Sequence, residues 1–219
     1  MNIEERLMEL QDVKYRDFHR GLVPGVPDRY IIGVRMPQLR LLAKEIDAVP
    51  FMKTLPHRYY EEYQLHAILL SGMKDLGICL SEVERFLPYV DNWATCDGLR
   101  PRCFAKHTEE LLPYVQRWLT SEHEYTVRFG IGVLEAFFLG DAFVPEHLRW
   151  VAAIRREEYY IKMMQAWYFA TALAKQWDAT LPVVGTLPEW VRRKTIQKAC
   201  ESFRVPQAHK DYLRSSISR

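Results

Sequence analysis

Helical periodicity runs through nearly the whole chain, and no segment shows the sustained apolar/polar alternation of a half-buried strand. No strand-turn-strand signal of the Asn-Gly kind appears either. The expected fold class is therefore all-α. Helices read over 3–18, 58–74, 81–89, 92–104, 108–119, 122–139, 145–154, 157–176 and 188–202. Another follows Pro37, which suits a first turn because its missing N–H costs nothing there. Pro88, Pro101, Pro113, Pro145, Pro182 and Pro188 mark boundaries. The clearest break is Gly21-Leu-Val-Pro-Gly-Val-Pro27. It is too short for a domain linker, so residues 1–219 are expected to form a single domain.

The helices come in pairs, and the second helix of each pair opens alike. Gln64, Arg128, Lys162 and Lys194 each place a polar or basic residue near the start of an apolar helix, at spacings of roughly 32 to 34 residues or twice that. Such a period is that of a solenoid, whose inner helices share one surface. The repeated position would then form a basic stripe on that surface. The alternative is a helical bundle without regular repeats.

Composition narrows the function classes. Hydrophobic residues make up 48% and charged residues 26%, an ordinary globular balance, and the net charge is only +2. Any nucleic-acid surface would need its cations gathered on one face. No run of about 18 apolar residues suggests a membrane span. The N-terminus, MNIEERLMEL, is acidic and polar and lacks a signal-peptide core, so a cytoplasmic location is expected. Cys79, Cys96, Cys103 and Cys200 form no C-x-x-C pair, and the seven His residues form no H-x-x-x-H, so reduced thiols and no metal site are expected. Phosphate-binding glycine loops, nucleophile elbows and H-E-x-x-H are missing from the sequence, which disfavours the enzymes built on them.

Three places carry residues suited to chemistry. In Val90-Asp-Asn-Trp-Ala-Thr-Cys-Asp97, Trp93 and Asp97 lie four apart and share a helix face. An indole beside a carboxylate can stabilise developing positive charge. The same segment also reads as a plain helix start, with Asp91 or Asn92 as cap and Trp93 as packing. Arg128 stands on an otherwise apolar helix and needs an anion, either a phosphate or an internal partner such as Asp97 or Glu135. Trp167 has Ala170 and Thr171 at helical spacing, which would leave its ring partly uncovered; core packing is the other reading. Arg35, Arg40, Lys162, Arg193, Lys194 and Lys198 are candidate phosphate contacts, or solvated faces.

Taken in order, several segments resemble the AlkD-like DNA alkylation repair glycosylases. These are Gly33-Val-Arg-Met-Pro-Gln-Leu-Arg-Leu-Leu-Ala-Lys44, Asn92 to Asp97, Tyr125-Thr-Val-Arg128, the helix from Ile161 to Trp167, and Ile196 to Ser202. The resemblance implies a right-handed α-α superhelix of HEAT-like helix-pair repeats, a C-shaped solenoid. It implies hydrolysis of the N-glycosidic bond of cationic N3- and N7-alkylated purines in double-stranded DNA, by a monomer, without metal or cofactor. Asp97 then matches the catalytic carboxylate, Trp93 and Trp167 the cleft aromatics, and Arg128 the arginine that holds the DNA backbone. The N-terminal part departs from the pattern. The aromatic that borders the cleft is displaced by loop 21–27, with Phe18 and Tyr15 as candidates. A DNA-binding relative without excision activity and a protein-binding scaffold are the alternatives.

Overall fold

In the computed structural model, residues 2–217 are described, and among them there are 14 α-helices and no strands, with 70% of the chain helical. The chain divides into two compact units, Met1–Phe104 and Ala105–Arg219. No helix among the described residues is long and apolar enough to cross a membrane.

The first unit holds α1 (Ile3–Glu9), α2 (Val13–His19), α3 (Met36–Leu42), α4 (Ala48–Lys53), α5 (Tyr60–Ser71), α6 (Leu76–Phe86) and α7 (Trp93–Gly98). Five of these are started by Asp or Asn side chains that accept a first-turn N–H: Asn2, Asp12, Asp47, Asp75 and Asn92. Asp12 explains why the expected helix 3–18 is two helices. Its carboxylate accepts the Tyr15 N–H at 2.9 Å, and its own N–H goes to the Gly33 carbonyl, also at 2.9 Å. The chain therefore bends at 10–12 to meet the segment Ile31–Arg35.

That segment is stitched to α5 by a buried carboxylate. Glu61 accepts N–H bonds from Ile32 (2.9 Å), Gly33 (2.6 Å) and Val34 (3.3 Å). Gly33 has φ +94°, and a Cβ there would stand 2.5 Å from Arg16 Cβ, so only glycine fits. Burial raises the Glu61 pKa, and the three N–H donors oppose that rise. Leu7, Leu39, Leu42, Leu65, Leu70, Val83 and Phe86 form much of the apolar interior.

The second unit holds α8 (Thr108–Leu119), α9 (Glu124–Phe137), α10 (Pro145–Ala153), α11 (Tyr159–Lys175), α12 (Trp177–Val184), α13 (Glu189–Glu201) and α14 (Gln207–Ile217). Its second helices lie side by side in the same direction. Near their starts Tyr160 N–H meets Glu124 Oε1 at 3.3 Å, and further along Thr171 Oγ1 donates to Glu135 Oε1 at 2.8 Å. Between α11 and α13, Lys162 sits 5.3 Å from the Trp190 ring centroid, and Lys198 sits 5.0 Å from that of Trp167. Gly130 lets α8 close on α9, since a Cβ there would meet Trp118 Cβ at 3.0 Å. In the first unit α5 and α7 are matched in the same way, through Gln64 Nε2 to Thr95 Oγ1 at 2.9 Å and Ser71 Oγ to the Gly98 carbonyl at 3.4 Å.

Several expectations need correction. The helix expected over 92–104 stops at Gly98, before Pro101, and a 3-10 turn follows at Arg102–Lys106. Pro113 and Pro182 lie inside α8 and α12 rather than at their ends. Helices α4, α12 and α14 have no counterpart in the sequence reading. Helix α12 follows α11 with only Gln176 between them, so no Gly or Pro announces the break.

Candidate functional site

In the first unit the site is built on the start of α7. Asn92 accepts the Thr95 N–H at 2.9 Å and is the cap, so that half of the helix-start reading holds. Trp93, the first residue of the helix, is half-buried and its indole Nε1 donates to the Leu22 carbonyl at 2.8 Å. It packs with Tyr30 and Ala94 against Val23, Val26, Ile31 and Tyr60. Loop 21–27 thus closes on the indole. Asp97 follows one turn later, half-buried, with its backbone carbonyl taking Arg100 Nε at 3.3 Å.

Tyr30, which sequence reasoning missed, packs like Trp93 against the cluster of Val23, Val26, Ile31 and Tyr60. Tyr15 OH is 3.4 Å from His19 Nδ1, and His19 Nε2 is 2.9 Å from Tyr60 OH. Phe18 is exposed. The only available signal was position, since Tyr30 follows the loop that Trp93 grips. A cavity of about 270 Å³ lies beside it, lined by Tyr30, Tyr60, Tyr63, His57 and Asp91 among others. Burial holds His19 below its usual pKa and lowers His57 to about 4, so both are neutral near pH 7.

In the second unit Arg128 and Trp167 stand on the neighbouring helices α9 and α11. Arg128 is only 4% exposed, and its guanidinium donates to the Tyr160 carbonyl at 2.7 Å. Trp167 is 45% exposed, so the reading of it as a partly uncovered ring holds and the core-packing reading does not. It borders a cleft of about 270 Å³ with Thr171, Lys198, Phe203 and Arg204.

The repeated polar positions do not form an exposed stripe. Gln64 and Arg128 are buried, the Lys162 side chain is 21% exposed and held by Glu157 at 3.0 Å, and Lys194 is half-buried, donating to Gln197 Oε1 at 3.0 Å. They open apolar helices that pack on their neighbours, so most of them turn inward. The other candidate cations lie nearer the surface. Arg35 is exposed, yet Asp12 holds its Nε at 2.9 Å and it lies over the Tyr15 ring at 4.8 Å. Arg40 and Arg193 are exposed, and Lys198 is held by Glu201 at 3.0 Å.

What these two sets of residues offer chemically is one half-exposed carboxylate beside an indole and one half-exposed indole beside a cation. A family model described as DNA alkylation repair enzyme matches residues 4–168, about three quarters of the chain. The matched range includes Trp93, Asp97, Arg128 and Trp167 and ends within α11. No curated protein matches the chain.

Proposed function

Because the chain belongs to the DNA alkylation repair enzyme family, we propose that it is a DNA glycosylase that releases cationic N3- and N7-alkylated purines from double-stranded DNA. The observation that carries this reading is the pairing of Trp93 and Asp97 one turn apart on α7, both half-exposed, inside the matched range. Such a base is already a good leaving group. Its glycosidic electron pair leaves with it and cancels its charge, while C1′ of the sugar gains oxocarbenium character. Asp97 stabilises that charge and orients the water whose oxygen adds to C1′; the water's proton passes to the carboxylate or to solvent. Trp93 supplies an aromatic face to the cationic sugar. Tyr30 joins it as the N-terminal aromatic, since both rings pack against the same apolar cluster. Arg128 keeps its neighbouring helices in register through Tyr160 and offers charge toward the backbone.

The finer architecture belongs to the same proposal: a right-handed superhelix of HEAT-like helix pairs. It is supported by the parallel matching of α9 with α11 at a sequence offset of 36 residues, repeated at both ends.

The proposal is tested by incubating the protein with methylated duplex DNA and measuring released 7-methylguanine and 3-methyladenine. Release that Asp97→Asn cuts by two or more orders of magnitude is expected. Equal release by the two proteins would overturn it. The second reading, DNA binding without excision, is favoured by one specific observation: the Leu22 carbonyl already occupies the Trp93 indole N–H. It is the outcome if duplex DNA binds with salt dependence and no base is released.

A further inference from the structure

The turn between α13 and α14 holds Phe203 with its ring fully in solvent. The turn itself is firmly set. Its neighbour Val205 is buried, Ser202 Oγ accepts the Arg204 N–H at 3.2 Å, and Val205 N–H reaches the Ser202 carbonyl at 3.5 Å. A lone exposed apolar residue is ordinary on a protein surface. This one borders the 270 Å³ cleft already described, with the half-exposed ring of Trp167 on another wall and Lys198 and Arg204 at the rim. Glu201 also lines it, but its carboxylate is met by Lys198 Nζ at 3.0 Å and by Gln197 Nε2 at 2.9 Å.

Charge is gathered here as well. Between Glu189 and Arg214 there are seven Lys and Arg against three Asp and Glu, a net of +4 where the whole chain carries +2. The region lies beyond the residues that the family model matches.

We infer that this cleft takes one unpaired nucleobase of a DNA strand, stacked by Trp167 and Phe203, with the flanking phosphates on Lys198 and Arg204. The inference rests on the reading of the chain as a DNA-acting protein and adds the site for a base that has left its partner. Aromatic faces grip any base, because every base has a π-face, and nearby cations follow the strand. A base still paired within duplex has both faces covered by its neighbours, so an unpaired one is the occupant that fits. The cleft volume falls below the roughly 300–1,000 Å³ of drug-sized ligand sites, which suits a single heterocycle. A protein partner would seek an apolar centre with charge removed from it, whereas cations border both rings here.

The experiment uses the full chain with two duplexes of the same sequence, one fully paired and one carrying a single bulged 2-aminopurine. Anisotropy gives affinity, and 2-aminopurine fluorescence reports stacking. The wild type should bind the bulged duplex more tightly and quench its fluorescence. Phe203→Ala should lose about 5- to 150-fold in affinity for the bulged duplex, the range for one stacked base, and little for the paired one. Phe203→Trp should keep the preference. An exposed ring is not needed for folding, so the melting temperature should stay unchanged. Equal binding of the bulged duplex by wild type and Phe203→Ala, or no quenching, would overturn the inference while leaving base release untouched. Failure of either duplex to bind at low salt would remove the DNA reading and this inference together.

Discussion

The carboxylate of Glu61 gathers the N–H groups of Ile32, Gly33 and Val34, three consecutive donors of an extended segment that has no sheet to pair with. A glutamine there keeps the shape but turns an N–H₂ toward N–H donors. Glu61→Gln should therefore cost about 2–4 kcal/mol in chemical denaturation, since at least one buried donor is left unpaired. A loss below about 0.5 kcal/mol would show that the carboxylate is dispensable. At this scale the sequence was partly legible. The spacing of Trp93 and Asp97 on one helix face could be read directly, because it depends on contacts four residues apart. The indole bond to Leu22, 71 residues away, could not, nor could the company of Tyr30, because long-range contacts leave no local pattern.

Helix pairs are matched through specific contacts, and α8 closes on α9 at Gly130. A Cβ at Gly130 meets Trp118 Cβ at 3.0 Å, Leu119 Cδ2 at 3.2 Å and the Leu119 backbone nitrogen at 3.3 Å, and of these only the leucine methyl can move aside readily. Gly130→Val should destabilise the protein by about 1–3 kcal/mol or more through overpacking. Gly132→Ala on the same helix should be nearly neutral, as its added methyl meets only Met164 Cε at 3.6 Å. Thermal melts of the two variants check this, and equal losses would contradict it. Elements with strong apolar periodicity were legible, and α8 is found at the expected 108–119. Helices α4 and α12 were not, because Pro50 and Pro182 lie within them and look like stops. Helix α14 is polar on average, yet its apolar residues fall on one face, so it was within reach of the sequence.

At the scale of the whole molecule, buried histidines set a limit at low pH. His57 Nε2 and His66 Nδ1 are 2.8 Å apart beneath Phe51, Tyr63 and Phe86. Burial, with Arg85 adding to it, lowers His57 to about 4, and burial, with His57 and then Arg85 adding to it, lowers His66 to about 3. Unfolded, both take up a proton near pH 6.5. Below that pH the unfolded chain binds more protons than the folded one, so stability is full above about 6.5 and falls as the pH drops toward 4. Each group adds up to about 1.4 kcal/mol per pH unit to the slope. Denaturation of the wild type and of a His57→Phe/His66→Phe variant between pH 7 and 4.5 tests this. The variant should lose less stability over that range, and identical slopes would refute the assignment. The all-helical character was legible at this scale because apolar periodicity is written in sequence spacing. The division into Met1–Phe104 and Ala105–Arg219 was not, because no composition change marks it.

The parallel course of α9, α11 and α13 has one more consequence. In an antiparallel bundle neighbouring helix dipoles cancel, whereas here they add, and the partial positive charges of three helix starts collect along one edge. Glu124, Glu158 and Glu189 stand at those starts, while Lys175 and Lys198 occupy the last turns of α11 and α13. The acids neutralise the edge that would otherwise attract phosphate, and the lysines answer the opposite end. The second unit thus carries a carboxylate at the start of each of these three helices and a lysine in the last turn of α11 and of α13, each answering the dipole of its own helix.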